Sequence, residues 1–339
     1  IDNSIEFLVS FLSVTRCGEI AAPLNPAYTL HEFKFYIKDA NSDYLIVKDQ
    51  DSLSVSAAKD ISLRVIRVGI SKTGLNLIDS KGELTDSRDP EAVSNEAVAL
   101  FLHTSGTTSK PKGVPLTHGN LLASLENIID TYDLSESDTS ILVMPLFHVH
   151  GLIGVALSTL ASGGCLVLPD RFSASTFWKI QSTSNATWYS AVPTIHKILL
   201  DRADSDSAPY QSFRFIRSCS SPLSTEILLG VESRFGSPVL EAYGMTEAAH
   251  KMSSNLLPPA KRNPGSVGNP TGVDISVRDE TGIALSHSEM GEVCVRGPNV
   301  MGGYIKNLSA NKLAFWGDLF RTGDQGFLTE DKVLTLTGR

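Results

Sequence analysis

The sequence has few cysteines and no excess of positive charge. Its four cysteines, Cys17, Cys165, Cys219 and Cys294, lie far apart and form no C-x-x-C pair. We therefore expect neither a zinc site nor a redox pair, and we expect a reducing, cytoplasmic compartment. Cys165 and Cys294 lie in apolar, strand-like runs and are predicted to be core residues. The net charge of −8 argues against nucleic-acid binding, because no basic excess exists to release counterions.

The sequence also lacks a hydrophobic run long enough for a membrane span. Ile141 to Pro169 carries no charged residue, but Pro145, His148, His150 and the pair Gly163-Gly164 interrupt it. A transmembrane helix needs about 20 continuous apolar residues. We instead expect a strand end, a loop, a buried helix, a glycine turn and a second strand. No signal peptide is visible at the start.

Short apolar strands alternate with amphipathic helices through residue 264. This rhythm predicts an α/β fold with two doubly wound, mostly parallel sheets covered by helices. After Pro264 short strands are separated by turns, which predicts a small, mostly antiparallel β module over residues 265–339. The predicted strands that bear most on the site are Ile141–Met144, Trp188–Ala191, Phe215–Ser218 and Val239–Tyr243.

The run from Thr104 to Gly113 reads Thr-Ser-Gly-Thr-Thr-Ser-Lys-Pro-Lys-Gly and follows the strand-like stretch Ala97–Leu102. Glycines let backbone N–H groups approach a ligand, hydroxyls donate, and ammonium groups neutralise negative charge, so the run suits a polyphosphate. It is not a Walker A loop, because that motif needs Gly where Pro111 stands and Ser or Thr where Gly113 stands. The alternative is a polar surface turn.

Four further segments also carry polar or charged side chains that could contact a ligand. They are Met144-Pro-Leu-Phe-His-Val-His-Gly151, Tyr243-Gly-Met-Thr-Glu247, Arg321-Thr-Gly-Asp324 and Gly338-Arg339. Two of them follow predicted strands, where open α/β sheets bind ligands. In this order and spacing, the five motifs resemble those of the adenylate-forming superfamily of acyl-CoA synthetases, luciferases and peptide-synthetase adenylation domains.

The resemblance implies a role for each motif residue toward ATP and Mg²⁺. Thr246 would hold the α-phosphate, and Glu247 would hold Mg²⁺, a cation that prefers carboxylate and phosphate oxygens. Asp324 would accept the ribose hydroxyls, Arg339 would add a ribose or phosphate contact, and Tyr243 would stack on adenine. The phosphate contacts would be Thr104, Ser105, Gly106, Thr107 and Thr108 with Lys112 nearby, and the adenine-lining residues Ser221, Pro222, Glu241 and Ala242.

The same resemblance implies a two-step reaction that needs no protein nucleophile. A carboxylate attacks the α-phosphate of ATP to give an acyl-adenylate and pyrophosphate, and the thiol of CoA then displaces AMP. The family's small C-terminal domain, which contributes a lysine, would follow Gly338-Arg339 and is absent from this sequence. We therefore expect a piece of a longer protein that is weak or inactive alone. Since the end of that protein is absent, a peroxisomal location stays open.

Three residues are candidates for contacting the acid. His148 follows Phe147 as in the CoA-ligase branch, and no Asp is present to hold a substrate ammonium group. Ser220 and His250 would shorten the pocket and suit a small acid with a second carboxylate. The segments around Ser220 and His250 most resemble those of oxalyl-CoA synthetases of plants and fungi, so oxalate is the predicted acid.

Alternatives to this interpretation remain. The protein would be a 4-coumarate- or fatty-acyl-CoA ligase in the first alternative. In the second it is an adenylating enzyme that transfers the acyl group to a carrier-protein thiol or oxidises the adenylate to emit light. In the third it is a nucleotide-binding module without chemistry. Among single residues, His150 is predicted to be a packed helix-start residue and Cys219 a packing residue. Lys251 is predicted to be either a solvated helix residue or an additional attraction for an anionic substrate.

Overall fold

A computed structural model describes residues 1–49, 52–71, 74–79, 82–83, 91–104, 111–203 and 212–339. These residues form two units, Ile1–His118 and Gly119–Arg339. The boundary that the sequence indicates after residue 264 lies inside the second unit and stays a prediction. In the described ranges, no helix combines the length and apolar character that a membrane span requires.

Helices in the first unit begin at side chains that satisfy their free N–H groups. Ser4 accepts from the backbone N–H of Phe7, and Thr29 forms a capping box with Glu32, which is the expected chemistry of a helix start. In chain order the elements of this unit are α1 (Ile5–Arg16), α2 (Leu30–Asp39), β1 (Tyr44–Val47), α3 (Leu53–Asp60), β2 (Arg64–Ser71), β3 (Gly74–Asp79), β4 (Gly82–Glu83), β5 (Val98–Thr104) and β6 (Lys112–Thr117).

The sheet of the first unit has fewer parallel strand pairs than the sequence predicts. Its four-stranded sheet has the order β1-β2-β3-β4, and only β1 and β2 pair in parallel. Two residues separate β2 from β3, too few for the crossover that a parallel pair requires. Strands β5 and β6 form a separate antiparallel pair in which Thr104 lies opposite Lys112. The predicted strand Ala97–Leu102 is therefore present and ends later, at Thr104.

The second unit contains most of the predicted α/β alternation. The predicted strands Trp188–Ala191, Phe215–Ser218 and Val239–Tyr243 are confirmed at both ends. From His118 onward the elements are α4 (His118–Tyr132), β7 (Thr139–Ile141), α5 (Val149–Gly151), a π-helix (Leu152–Leu157), α6 (Ser158–Ala161), β8 (Cys165–Val167), α7 (Ala174–Ser184), β9 (Trp188–Ala191), α8 (Pro193–Ala203), β10 (Phe215–Ser218), α9 (Thr225–Phe235), β11 (Val239–Tyr243), a 3₁₀-helix (Thr246–Ala248), β12 (Ser253–Ser254), β13 (Asn269–Pro270), β14 (Asp274–Arg278), β15 (Gly291–Arg296), α10 (Leu308–Ala314), β16 (Phe315–Trp316), β17 (Leu319–Leu328) and β18 (Leu334–Gly338).

A seven-stranded sheet forms the centre of this unit, with strand order β13-β12-β11-β10-β9-β7-β8. The strands from β11 to β8 in that order pair in parallel, whereas β12 and β13 are antiparallel. The doubly wound α/β prediction is therefore confirmed for this sheet. Because β9, β10 and β11 are parallel neighbours, the residues that follow them lie at one edge of the sheet, where such sheets bind ligands.

The uncharged stretch is a strand end followed by a buried helical segment. The first strand is β7, which ends at Ile141 and not at the predicted Met144, because its partner β8 pairs over only three residues. Six residues of the helical segment, Leu152–Leu157, form a π-helix and are all buried. A π-helical turn inside a helix is rare and often marks a functional site.

The predicted antiparallel module is also confirmed. Strands β14, β15, β17 and β16 pair in that order, with β18 beside β17, and every pair is antiparallel. Backbone hydrogen bonds between Leu334 and both Val267 and Gly268 join the module to the segment before β13. Cys294 is buried as predicted, but Cys165 is exposed, because β8 is the edge strand of the central sheet.

One ion pair ties together the starts of three central strands. Asp138 precedes β7 and accepts two hydrogen bonds of 2.9 Å from the Nε and Nη2 atoms of Arg214, which precedes β10. The hydroxyl of Thr187, which precedes β9, donates to the same carboxylate at 2.8 Å. The Asp138 side chain is 3% exposed and that of Arg214 33%. A bidentate pair of this kind is stronger than a single charged hydrogen bond.

We predict that Asp138→Ala lowers the free energy of unfolding by about 2–3 kcal/mol, because it removes the buried carboxylate that accepts two hydrogen bonds from Arg214 and one from Thr187. Urea unfolding measures the effect. The matched control is Asp201→Ala, which breaks the exposed i,i+4 pair with Lys197 and should change stability by less than about 0.5 kcal/mol. Equal effects of the two variants would contradict this assignment.

Candidate active site

The hydroxyl of Tyr243 lies against a carboxylate of the antiparallel module. Tyr243 ends β11, and its hydroxyl donates to Asp324 in β17. Arg339 lies 3.6 Å from the other oxygen of Asp324 and is mostly exposed. The structure thus brings together three residues predicted to contact adenine and ribose. Burial and the Asp324 carboxylate raise the pKa of Tyr243 well above its usual value, which keeps the hydroxyl a donor.

Glu241 lies two residues earlier on β11 and is buried. Its Oε2 accepts a 2.9 Å hydrogen bond from the Gly265 N–H. Burial raises the pKa of Glu241 to about 7, and the Gly265 hydrogen bond acts in the opposite direction. The adjacent Ala242 is also buried and pairs with Ser254 of β12. The predicted adenine-lining segment is therefore fixed by a hydrogen bond to the Glu241 side chain and by strand pairing at Ala242.

The residues after β10 are exposed at the same edge of the sheet. Ser220, Ser221 and Pro222 have accessible side chains, as residues that line a ligand site require. Ser220 has a φ of 74°, a left-handed conformation that costs energy for a residue other than glycine. Such conformations cluster at functional sites, because the surrounding structure has to impose them.

The carboxylate of Glu247 is oriented by a tyrosine of the antiparallel module. Thr246 and Glu247 lie in a short 3₁₀-helix directly after β11. The Tyr304 hydroxyl donates to Glu247 Oε1 at 2.8 Å, and Met301 N–H donates to the Glu247 carbonyl. No cluster of three metal-ligating side chains occurs in the residues the structure describes. One oriented carboxylate fits Mg²⁺, which is often held by one or two carboxylates plus substrate phosphates.

In the first unit, only the two ends of the predicted phosphate loop are described. Thr104 ends β5 and Lys112 begins β6. The Thr104 hydroxyl is sealed from solvent and has no hydrogen-bond partner in the described part of the chain, which fits a donor whose acceptor is a ligand. The predicted contacts Ser105, Gly106, Thr107 and Thr108 lie outside the described residues.

His250 is buried against an arginine that the sequence analysis did not recognise as part of the site. Its side chain is 1% exposed, and its Nε2 accepts from the Nη2 of Arg217, which is completely buried at the end of β10. The Arg217 Nη1 donates to the Gly154 carbonyl at 2.9 Å. A Cβ at position 154 would lie 2.5 Å from His250 Nε2, so glycine is required in the π-helix for this contact.

The histidine that joins Ser220 to His250 is His150. Its Nδ1 lies 3.0 Å from Ser220 Oγ and its Nε2 2.7 Å from Ser190 Oγ. Its ring stacks on that of His250 with centroids 5.1 Å apart. The packed position predicted for His150 is therefore right, but it also links two predicted acid contacts. His148 is exposed and packs on Phe147, so the structure does not join it to this cluster.

Lys251 is not a solvated helix residue. Its side chain is completely buried and lies outside any helix, and its Nζ donates to the Tyr132 hydroxyl at 3.0 Å. Burial and then the Arg217 guanidinium lower the pKa of the Lys251 ammonium well below its usual value. The first of the two alternatives for Lys251 is therefore wrong. The second, an additional attraction for an anionic substrate, stays a prediction.

The backbone around His250 is held in an unusual conformation. Ala249 and His250 have φ values of 45° and 90°. The His250 N–H donates to the Met245 carbonyl at 3.0 Å, and the Asn299 side chain donates to the carbonyls before and after this pair. A Cβ on Gly244 would clash with the His250 carbonyl. The turn from Met245 to His250 therefore places the predicted acid contact close to Thr246 and Glu247.

Two important residues were missed by sequence reasoning. Tyr304 had no signal, because its role depends on packing between the module and the central sheet. Arg217 did have one: an arginine in the otherwise apolar strand Phe215–Ser218, flanked by strands on both sides, has to be buried. Buried arginines are rare unless they are paired.

Comparisons with known proteins agree with this geometry. The sequence model of the AMP-binding enzyme family matches residues 1–305. The chain belongs to the AMP-binding enzyme family. It is 49% identical to "Probable CoA ligase CCL9" of Humulus lupulus and 47% identical to an oxalate–CoA ligase of Arabidopsis thaliana, each over 99% of this chain and 66% or 67% of the relative. The chain thus spans about two thirds of the length of these relatives.

A solved structure extends the comparison to the fold. ATP-bound MatB from Rhodopseudomonas palustris superposes with a TM-score of 0.86 at 30% identity, covering 99% of this chain and 67% of that one. The similarity includes both units of the described structure. It therefore supports the AMP-binding family fold for the whole of this chain.

We predict a pH effect on stability from Glu241. Its pKa in the folded chain is raised to about 7 from an ordinary 4.5, so the folded state holds the proton more tightly than the unfolded state. The resulting stabilisation is complete below about pH 4.5 and is lost as the pH rises through about 7. In urea unfolding across this range, wild type should lose stability relative to Glu241→Gln. Parallel pH profiles would contradict the prediction.

We also predict that Gly154→Ala destabilises the chain by about 1–3 kcal/mol, since the new methyl group displaces His250 and Arg217 from a packed position. Thermal or urea unfolding measures the loss. Gly69→Ala is the matched control, because a Cβ at position 69 meets no atom within 4 Å. Equal stability of the two variants would show that the space beside Gly154 is open.

Proposed function

We propose that this chain provides the nucleotide- and acid-binding parts of an AMP-forming CoA ligase whose acid is oxalate. The family and the relatives that are CoA ligases support the reaction class. The Arabidopsis relative named as an oxalate–CoA ligase supports the acid. The observation that carries the proposal is the polar cluster of Ser220, His150 and His250 beside the buried Arg217.

The cluster favours a short, charged acid over an apolar one. Its members present a hydroxyl and imidazole groups, and the space next to Gly154 is filled by His250 and Arg217. A carboxylate gains charge-assisted hydrogen bonds from such groups. An acyl or aryl chain would bury apolar atoms against polar ones and leave those polar groups unpaired, which is costly.

The proposed first step is the attack of a substrate carboxylate oxygen on the α-phosphorus of ATP. A new O–P bond forms, the bond to pyrophosphate breaks, and oxalyl-adenylate results. Thr246 is proposed to hold the α-phosphate, and His250, a proposed acid contact, ends the turn that contains Thr246. Positioning of this kind supplies much of the catalysis when no protein nucleophile is needed.

The remaining contacts follow from the residues already described. Tyr243 is proposed to stack on adenine, with Asp324 and Arg339 at the ribose. Glu247 would hold Mg²⁺, which neutralises phosphate charge when bound. In the first unit, Thr104 and Lys112 are proposed to contact the β- and γ-phosphates.

The proposed second step transfers the oxalyl group to CoA. The CoA sulfur attacks the acyl carbon of the adenylate, its proton leaves to solvent, and the acyl–phosphate bond breaks to release AMP. The product is a thioester, oxalyl-CoA. Cytoplasmic location stays part of the proposal, as expected from the scattered cysteines.

The test is acid-dependent pyrophosphate release by the complete gene product, followed by CoA consumption. Oxalate, malonate, 4-coumarate and octanoate are compared at equal concentration. The proposal predicts the highest kcat/KM for oxalate and dependence of AMP release on CoA. A preference for 4-coumarate or octanoate would show that the acid is wrong, and no pyrophosphate release with any acid would overturn the reaction.

A further inference from the structure

The guanidinium of Arg217 lies in the core without an acidic partner among the described residues. Its Nη1 donates to the Gly154 carbonyl and its Nη2 to His250 Nε2, whereas its Nε finds no hydrogen-bond partner in the described part of the chain. No carboxylate forms an ion pair with Arg217 or Lys251 within the described ranges. Since a buried charge is costly unless it is compensated, its presence at the edge of a ligand site calls for a function.

The contact with His250 fixes where that ring carries its proton. A guanidinium has five N–H donors and no acceptor, so His250 Nε2 has to be the acceptor in this pair. Burial and then the Arg217 charge lower the pKa of His250 well below its usual value, so the ring stays neutral near neutral pH. A neutral imidazole that accepts at Nε2 carries its proton on Nδ1.

We propose that Arg217 is a positioning residue that holds His250 in the Nδ1–H tautomer, so that this ring donates a hydrogen bond to the second carboxylate of a small dicarboxylic acid. The proposal rests on the proposed function for its substrate class. Among the described residues, the hydrogen bond of the His250 ring is made at Nε2 and none is made at Nδ1. A donor with no protein acceptor, next to the turn that holds Thr246, is placed to serve a ligand.

The surroundings restrict the ring to this orientation. His150 stacks on one face of His250, and His150 is itself fixed by hydrogen bonds to Ser190 and Ser220. Gly154 removes the Cβ that would otherwise displace the His250 edge. A donor held by its neighbours loses less entropy on binding than a mobile one, which makes a fixed tautomer useful for selecting the acid.

The uncompensated charge of Arg217 adds to the selection. A cation in a low-dielectric interior attracts an anion more strongly than it would in water. A dicarboxylate retains one carboxylate after the other has joined the adenylate, whereas a monocarboxylate retains none. Loss of Arg217 should therefore weaken the binding of a dicarboxylate more than that of a monocarboxylate, and should leave the nucleotide contacts unchanged.

The direct readout is the tautomer of His250. Histidine nitrogens are labelled with ¹⁵N in the complete gene product, and the His250 signals are assigned by their loss in His250→Asn. Wild type should show a protonated Nδ1 and an unprotonated Nε2. Arg217→Met should lose this pattern, because no donor then faces Nε2. The control Arg214→Met removes the guanidinium that pairs with Asp138 and should leave the His250 signals unchanged.

The second readout compares the effect of Arg217→Met on the KM for the acid with its effect on the KM for the nucleotide. Arg217→Met should raise the KM for oxalate about 10- to 100-fold, the range expected for loss of a charge-assisted hydrogen bond. The KM for ATP should change less than about twofold. His250→Asn keeps an amide near the former Nδ1 and has no tautomer to control, so adding Arg217→Met to it should change the KM for oxalate by less than about threefold.

The outcomes distinguish this inference from the proposed function. An unchanged His250 tautomer in Arg217→Met overturns the positioning role, whichever acid the enzyme uses. Equal losses for oxalate and for a monocarboxylate, or full additivity with His250→Asn, overturn the link between the tautomer and acid selection. A changed tautomer together with wild-type preference for octanoate would show that the proposed substrate is wrong while Arg217 still fixes the ring.

Discussion

The burial of one guanidinium at the end of β10 is the constraint on which the acid site depends. Arg217 cannot be solvated there, so its donors are directed to the Gly154 carbonyl and to His250. These contacts require a glycine in the π-helix and a left-handed backbone at His250. The hydrogen bonds that compensate the buried charge therefore determine the geometry of the site. Because Arg217 occupies Nε2 of His250, Nδ1 is the ring nitrogen left for a ligand.

A second constraint acts on the nucleotide side. Two tyrosines join the central sheet and the antiparallel module through carboxylates: Tyr243 donates to Asp324, and Tyr304 donates to Glu247. In each pair one partner comes from the turn or strand end at β11 and the other from the module. Each hydroxyl therefore fixes one oxygen of its carboxylate, and the two hydrogen bonds tie the module to the end of β11.

Much of the fold was predictable because its signals are local. The strands Trp188–Ala191, Phe215–Ser218 and Val239–Tyr243 are apolar runs between helices, and tertiary packing did not override them. The first unit was less predictable, because the antiparallel pairing of β2 with β3 depends on their short separation in sequence, which the hydrophobic pattern does not reveal. Cys165 likewise depends on strand order, which makes β8 an edge.

The site was predictable where a motif carries the chemistry and unpredictable where packing does. Tyr243, Asp324 and Arg339 were expected to act together, and they lie together. His148 stays a predicted acid contact, whereas its neighbour two residues on, His150, stacks on His250 because the helix start points it inward. Lys251 and Arg217 are both charged residues in the core. The burial of Arg217 has a sequence signal in its position on a central strand, whereas that of Lys251 depends on packing.

The most direct test of this account is a crystal structure of the complete gene product with AMP and oxalate. The account predicts an oxalate carboxylate within hydrogen-bond distance of His250 Nδ1 and near the Ser220 hydroxyl, with Arg217 still bound to His250 Nε2. Oxalate bound away from these residues would contradict the account. So would a His250 ring that faces oxalate with Nε2 instead of Nδ1.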